Sequence, residues 1–307
     1  METPTPATLL ELCDRFPSEE ACWRYLREVR WPKGFRCPRC QAKGASFVSS
    51  RRLWQCRRCR HQVSITAGTV FHGTRIPLRK WFVAIFFLAR HKQGISALQL
   101  QRDLGLGSYQ TAWTMLHKLR SGLARRTGQL LRGVVEADEA FLGARRHGGK
   151  RGRGAPNKTM LAVVVERRKR SAGAAHIAVV PNGAFDSLAP VIRGAIEGAD
   201  TTVVTDGHYG YGPLRRHGVR HESHIVNTPE RADEILPWVH VVISNLKVWL
   251  LGTFRGVSPK HLSRYLLEFT YRFNRRGMAE TLFFFLTRRA VQAAPLPYAR
   301  LTAERVG

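Results

Sequence analysis

The sequence predicts a multidomain protein: a four-cysteine module and a helical module, followed by a larger α/β domain. Three observations support this. Four cysteines form two C-x-x-C pairs near the N-terminus, helical periodicity dominates the next stretch, and short β-branched runs follow beyond residue 131. The expected divisions are a helical segment 1–34, the cysteine module 35–74, a helical region 75–127, the α/β domain 131–290 and a tail 291–307.

The charge balance is strongly basic. Lys and Arg total 50 against 22 for Asp and Glu, a formal net charge of +28. Such an excess is typical of proteins that bind a phosphate backbone, because each neutralised phosphate releases counterions. A ribosome-like structural protein or a membrane-surface protein is the alternative, but here the basic residues lie among core patterns rather than in tails. We expect a cytoplasmic protein, since no basic-then-apolar signal opens the chain and no apolar run approaches the ~20 residues of a membrane span.

The cysteine pairs predict a zinc site. Cys37, Cys40, Cys56 and Cys59 have the spacing C-x2-C-x15-C-x2-C, which gives four thiolates on two knuckles. Four thiolates leave no open coordination position, so we expect the zinc to be structural. A disulfide framework is the alternative, and a cytoplasmic chain disfavours it.

Basic and aromatic residues surround the knuckles. This favours nucleic-acid contact by the ribbon, although a solvated charged surface is the alternative. The residues concerned are Arg36, Arg39, Arg51, Arg52, Arg57, Arg58 and Arg60, with Phe47 and Trp54.

The helical region predicts a helix-turn-helix. Ser96 begins a capping box for a short helix, the glycine-containing turn 105–107 follows, and Ser108 can cap a longer basic helix. We expect Lys118 and Arg120 of that helix to contact DNA. Any small helical bundle would show a similar pattern.

Beyond residue 131 the pattern changes to strands. The elements in order are strands 133–141, 160–166, 175–180, a helix 185–197, strands 201–205 and about 221–226, and helices 239–251 and from 259. This order is an RNase H-like arrangement, which places the ends of strands one and four side by side. The loop after strand one is rich in glycine and in basic residues suited to a phosphate backbone: Arg145, Arg146, Lys150, Arg151 and Arg153.

Two aspartates lie at those strand ends. Asp138 and Asp206 could hold two divalent ions about 3.5–4 Å apart, as phosphoryl transfer on DNA requires. The alternative for each is a strand-end aspartate that caps a turn. Glu136 and Glu139 are weaker candidates: on an alternating strand Glu136 shares a face with Asp138, and Glu139 points the other way.

In these motifs the chain resembles bacterial insertion-sequence transposases with a zinc ribbon and an ISXO-like DDE catalytic domain of the integrase superfamily. The resemblance lies in the four ribbon cysteines and in the blocks Gly68–Phe71, Val135–Glu139, Val204–Gly207, His240–Lys247 and Glu268–Arg276. It implies metal-dependent cleavage at the ends of a DNA element, followed by attack of the freed 3′-hydroxyl on target DNA. It also implies structural zinc, two Mg²⁺ or Mn²⁺ ions, at least a dimer, and a place at the bacterial nucleoid.

The resemblance places the first two ligands on Asp138 and Asp206 and the third on Asn245, where many relatives carry glutamate. An amide oxygen can ligate magnesium but brings no charge. Glu268 is the alternative, although Arg264 and Arg272, four residues to either side, predict ordinary surface ion pairs for it. A two-aspartate site completed by water or DNA is the third possibility. Lys247 is expected to hold a phosphate or to be a solvated helix lysine. The competing function is a DNA-binding protein, derived from a transposase, that has no catalytic activity.

Overall fold

The computed structural model describes residues 6–123, 130–143, 158–198, 200–225, 228–278 and 281–303. The chain divides into two compact units. The first combines Met1–Arg125 with Gly277–Glu304, and the second is Arg126–Arg276 with Arg305–Gly307. Among the described residues, no helix combines the length and apolar character needed to cross a membrane.

The first unit opens with two capped helices, α1 (Leu9–Arg15) and α2 (Glu19–Arg30). A three-stranded antiparallel sheet follows, built from β1 (Ala45–Val48), β2 (Leu53–Cys56) and β3 (Gln62–Val63). This sheet carries the second cysteine pair at the end of β2, so the predicted ribbon forms.

Three helices continue the first unit: α3 (Leu78–Arg90), α4 (Ala97–Asp103) and α5 (Tyr109–Gly122). The side chains of Ser96 and Ser108 accept the backbone N–H groups of Gln99 and Thr111, each at 3.1 Å. These caps satisfy donors that the first turn of a helix leaves free. The two helices and the turn between them therefore follow the helix-turn-helix order that the sequence predicts.

The second unit contains β4 (Val134–Leu142), β5 (Thr159–Arg168), β6 (Ser171–Val180), α6 (Phe185–Ala195), β7 (Thr202–Asp206) and β8 (Arg220–His224). A 3-10 helix, Tyr209–His217, connects the last two strands. Helices α7 (Pro229–Ile235), α8 (Pro237–Phe254) and α9 (Pro259–Phe273) follow.

The strand order in this unit is β6-β5-β4-β7-β8. Strands β4, β5 and β6 run antiparallel, whereas β7 and β8 run parallel to β4. Helices α8 and α9 cover one face of the sheet, and α6 with the 3-10 helix covers the other. This is the RNase H-like arrangement expected from the sequence, with β4 and β7 adjacent at the centre.

The C-terminal segment belongs to the first unit. Helix α10 (Leu282–Gln292) packs against α2, α3 and α5, and α11 (Tyr298–Ala303) packs against α5. The backbone N–H of Val70 donates to the carbonyl of Ala290 at 3.0 Å. The expected end of the α/β domain at residue 290, with a tail 291–307, is therefore corrected: this domain ends near Arg276, because the apolar face of α10 completes the helical core of the other unit.

Candidate active site

Strand register brings the two predicted aspartates together. Strands β4 and β7 are parallel, with Ala137 opposite Thr205, so that Asp138 and Asp206 follow side by side. Asp206 ends β7 as expected, whereas Asp138 lies within β4, which continues to Leu142. Asp206 also ends its strand in a turn, in which its Oδ1 accepts the backbone N–H of His208 at 3.1 Å. Both carboxylates are partly exposed and therefore accessible to a ligand.

Glu139 joins these aspartates. One carboxylate oxygen each from Asp138, Glu139 and Asp206 lies within 4.8 Å of the others. Strand alternation predicts that Glu139 points to the face opposite Asp138, and its contact with His208 agrees with that direction. One of its carboxylate oxygens nevertheless lies within 4.8 Å of the two aspartate oxygens. Three carboxylates are a suitable donor set for Mg²⁺ or Mn²⁺, which prefer oxygen ligands.

The far side of Glu139 is fixed by neighbouring polar groups. His208 Nδ1 lies 2.8 Å from Glu139 Oε1, and both side chains are about 95% buried (5% and 4% exposed). The Tyr211 hydroxyl is also hydrogen-bonded to Glu139. Burial raises the pKa of Tyr211 well above its usual value, and the charges of the three cluster carboxylates raise it further. The cluster therefore generates a negative potential that favours a bound cation.

Glu136 has a structural position instead. Its side chain is fully buried, and its Oε2 accepts the backbone N–H groups of Trp238 and Val239, each at 2.8 Å. Its Oε1 accepts a hydrogen bond from Arg167 Nε at 2.8 Å. The carboxylate thus caps the N-terminus of α8, where the helix dipole favours negative charge.

His240, in the first turns of α8, is a site residue that the sequence analysis missed. Its Nε2 lies 3.4 Å from Asp138 Oδ2, and its Nδ1 lies 2.7 Å from Asp233 Oδ1. The hydrogen bond to Asp138 is the largest cause that raises the pKa of His240, to about 9. The available signal was its place in the His240–Lys247 block, but only the rotation of α8 shows which residue of that block faces β4.

Asn245 and Lys247 lie on the exposed surface of α8. At 100° per residue, Lys247 lies within about 20° of His240 around the helix, whereas Asn245 lies about 140° away. The assignment of Asn245 as third ligand stays a prediction. Glu268 is corrected from the expected surface position: α9 packs against the sheet and α8, and Glu268 is fully buried beside Arg272, 3.5 Å away. Among the described residues, Glu268 is not part of the carboxylate cluster.

The four ribbon cysteines also form a compact group. All four sulfur atoms lie within 4.8 Å of one another, with Cys37–Cys59 at 3.6 Å and Cys40–Cys56 at 3.7 Å. A tetrahedron of Zn–S bonds of ~2.3 Å requires sulfur atoms about 3.8 Å apart, so the donor set fits zinc.

The two knuckles share one backbone geometry. The carbonyls of Cys37 and Cys56 accept the N–H groups of Gln41 and Arg60, at 2.9 and 3.0 Å. Both of these residues have φ near +60°, an uncommon conformation for a residue other than glycine. Each tight turn directs its pair of thiols toward the other.

Comparison with known proteins decides the family. Residues 17–62 match the transposase zinc-ribbon domain, and residues 130–274 match the ISXO2-like transposase domain. The chain therefore carries a transposase zinc ribbon and an ISXO2-like transposase domain. A protein described as an uncharacterized protein in the transposable element ISH50 of Halobacterium salinarum is 28% identical over 277 residues, which cover 84% of this chain and 91% of that protein.

Solved structures show weaker likeness to this transposase. The catalytic core domain of HTLV-2 integrase in complex with magnesium is 15% identical, with a TM-score of 0.31 over 48% of this chain and 88% of that one. A pre-cleavage Mos1 transpososome is 13% identical, with a TM-score of 0.28 over 68% and 78%. The family assignment rests on the two domain matches.

The predicted DNA-binding residues of the transposase differ in accessibility. The seven arginines around the ribbon are all exposed. Lys118 is half-buried, and burial lowers its pKa. Arg120 is only 1% exposed, which corrects the expectation that it lies on the surface, because this part of α5 packs into the helical core. Arg145, Arg146, Lys150, Arg151 and Arg153 lie outside the described residues.

Proposed function

We propose that this transposase binds double-stranded DNA at the ends of its element and catalyses DNA cleavage and strand transfer with divalent metal ions. The supporting observation is the group of three carboxylates, Asp138, Glu139 and Asp206, within 4.8 Å on the adjacent strands β4 and β7. Two element ends must be joined, so the proposal includes at least a homodimer, acting at the bacterial nucleoid.

The side chains of the cluster have distinct roles in this proposal. Asp138 and Asp206 bind the metal from two adjacent strands, and Glu139, oriented by His208 and Tyr211, supplies the third carboxylate. Mg²⁺ or Mn²⁺ bound there would neutralise charge on the attacking and leaving oxygens of the phosphodiester. Asn245 is the ligand that the family resemblance favours, and the variant Asn245→Ala tests its contribution.

Positive groups would hold the DNA. We assign phosphate contacts to Lys247 on the exposed side of α8, to the exposed arginines of the ribbon and to the basic residues of segment 145–153. The zinc of the ribbon has a structural role, since its four thiolates exclude substrate from the metal.

The experiment is cleavage of a supercoiled plasmid carrying the element ends, by the zinc-loaded full chain with Mg²⁺ or Mn²⁺. Asp138→Ala and Asp206→Ala should lower the rate by more than the 10–100-fold that loss of an outer-shell partner costs. Glu139→Gln should lower it by at least about 10-fold. Glu222→Gln, an exposed carboxylate on the neighbouring strand β8, is the matched control and should leave the rate unchanged.

Asn245→Ala and Glu268→Ala complete the series, each checked for folding by circular dichroism. Loss of cleavage in Asn245→Ala supports the amide as a ligand, and loss in folded Glu268→Ala supports the alternative. If the wild-type chain binds DNA but cleaves it with neither Mg²⁺ nor Mn²⁺, the proposal is contradicted and the inactive DNA-binding protein is favoured.

A further inference from the structure

We infer that His240 is the ligand that α8 contributes to a second divalent ion, which shares Asp138 with the carboxylate cluster. The inference rests on the proposed function and extends it. It assigns an imidazole, rather than the Asn245 amide, to the position that completes a two-metal site.

The two oxygens of Asp138 have different neighbours. Oδ1 accepts the backbone N–H of Glu139 at 2.8 Å, on the strand. Oδ2 lies 3.4 Å from His240 Nε2, with the His240 side chain 29% exposed and the Asp138 side chain 17% exposed. Asp138 therefore has one oxygen directed at the helix while it belongs to the cluster with Asp206. In a two-metal site one carboxylate commonly bridges both ions, and this geometry suits Asp138 to that role.

The other ring nitrogen of His240 is already held. Nδ1 lies 2.7 Å from Asp233 Oδ1 on α7, so Nδ1 is held as a hydrogen-bond donor, and a metal ion at Nε2 would replace the proton that Nε2 shares with Asp138. Histidines that bind metals commonly donate the second N–H to a carboxylate in this way, which orients the ring and increases its basicity. Asp233 is therefore a positioning residue for His240.

The backbone beneath His240 is anchored to the strand that carries Asp138. Glu136, two residues before Asp138 on the same face of β4, accepts the N–H groups of Trp238 and Val239. These amides immediately precede His240. One strand thus supplies the shared carboxylate and also fixes the first turn of the helix that presents the imidazole.

Asn245 is placed less favourably for this role. It lies on the exposed surface of α8, about 140° around the helix from the side chain that contacts Asp138. An imidazole ligand also changes the preferred metal, since nitrogen donors favour transition-metal ions over Mg²⁺. The second ion should therefore bind more tightly as Mn²⁺ than as Mg²⁺.

The test is Mn²⁺ binding to the zinc-loaded full chain, followed by the electron paramagnetic resonance signal of free Mn²⁺. The wild type should bind two ions per chain. His240→Ala should bind one, with the second at least about 10-fold weaker, and Asp233→Asn should weaken the second ion by about 10–100-fold. His240→Gln, which retains a hydrogen-bond donor toward Asp138, should behave like His240→Ala. Asn245→Ala and Ser244→Ala should bind both ions within about twofold of the wild type.

The outcomes separate this inference from the proposed function. If His240→Ala binds two Mn²⁺ ions and Asn245→Ala binds one, the role of His240 is overturned. The same holds if the wild type binds a single Mn²⁺ ion. In both cases the carboxylate cluster remains a metal site. The proposed metal site itself is overturned if the wild-type chain binds no Mn²⁺. It is also overturned if Asp138→Ala and Asp206→Ala bind Mn²⁺ as tightly as the wild type does. Thermal unfolding of each variant checks that the fold is retained.

Discussion

Glu136 Oε2 lies 2.8 Å from the backbone nitrogen of Val239, which is 103 residues further along the chain. This hydrogen bond connects the strand of the first site aspartate to the helix of His240. The carboxylate has no exposed surface, and Arg167 supplies the opposite charge. Helix α8 therefore takes its position relative to the sheet from a buried ionic group as well as from apolar packing.

Replacement of Glu136 by Ala should destabilise the second unit by about 3 kcal/mol, since it leaves two amides and Arg167 without their acceptor. Hydrogen exchange should quicken at Trp238 and Val239. Glu166→Gln is the control, because the Glu166–Arg168 pair lies on the same sheet with the Arg168 side chain 56% exposed and should contribute less than about 1 kcal/mol. Equal hydrogen-exchange rates at Trp238 and Val239 in the two variants would contradict the role of Glu136 in anchoring α8.

Gly210 should not tolerate a side chain. A Cβ built there would lie 2.1 Å from the carbonyl oxygen of Gly183, a backbone atom, whereas a Cβ at Gly212 meets nothing within 4 Å. Gly210→Ala should lower the free energy of unfolding by about 1–3 kcal/mol, the usual cost of overpacking. Gly212→Ala should be near neutral. Urea denaturation of the two variants measures the difference, and similar midpoints would show that the 3-10 helix can shift away.

Zinc should bind once per chain and should be required for the ribbon fold. Cys56→Ser removes a ligand from a four-thiolate site, so the remaining ligands should no longer retain zinc through purification. Elemental analysis should give one zinc per chain in the wild type and far less in the variant. Cys13→Ser, outside the cysteine group, is the control. Retention of zinc by Cys56→Ser would contradict the assignment.

Stability should fall in mild acid because of His221. This residue is 5% exposed and its Nε2 lies 2.8 Å from Thr205 Oγ1. Burial lowers the pKa of His221, and the charge of Arg215 lowers it further. Below the unfolded pKa of about 6.5, the unfolded chain takes up a proton that the folded chain does not, so stability is lost as the pH falls.

The urea midpoint should therefore decrease between pH 8 and pH 5, and the decrease should be smaller in His221→Gln. His224→Gln, an exposed position on the same strand, is the matched control. The same reduction in both variants would assign the pH dependence to something other than burial of His221.

DNA binding should depend steeply on salt, and the basic segment 145–153 should account for part of this dependence. If all five basic residues contact phosphates, their replacement by glutamine should flatten the log–log salt slope by up to about 4.5. The variant changes Arg145, Arg146, Lys150, Arg151 and Arg153. A control removes exposed charges elsewhere in the same unit: Lys169, Arg170 and Arg193. If the salt slope changes by the same amount per removed charge in both variants, the effect comes from net charge and not from phosphate contacts of segment 145–153.

The sequence was sufficient to predict the order of strands and helices along the chain and the meeting of Asp138 with Asp206, because hydrophobic runs set the strands and the two strands that carry the aspartates are adjacent. Serine caps located α4 and α5 for a similarly local reason. Those features depend on neighbours in the chain. They required no knowledge of distant contacts.

Other features depend on contacts that local patterns do not contain. Strand alternation predicted the direction of the Glu139 side chain but not that its carboxylate lies close to Asp138 and Asp206. His240 was missed because the rotation of α8 is fixed by Glu136, far away in sequence. Arg120 and Glu268 were expected on the surface, since charge alone does not reveal that a helix is covered on several sides.

The position of α10 has a consequence for biosynthesis. The ring centroid of Phe283 lies 5.9 Å from those of both Phe16 and Phe82. Helix α10 therefore completes an aromatic core to which residues near the N-terminus also contribute. A ribosome must release residues 277–304 before that core is complete, and the whole second unit is synthesised in between. A reading frame that stops before Gly277 would therefore encode the zinc ribbon and the helix-turn-helix without the helix that completes their aromatic core.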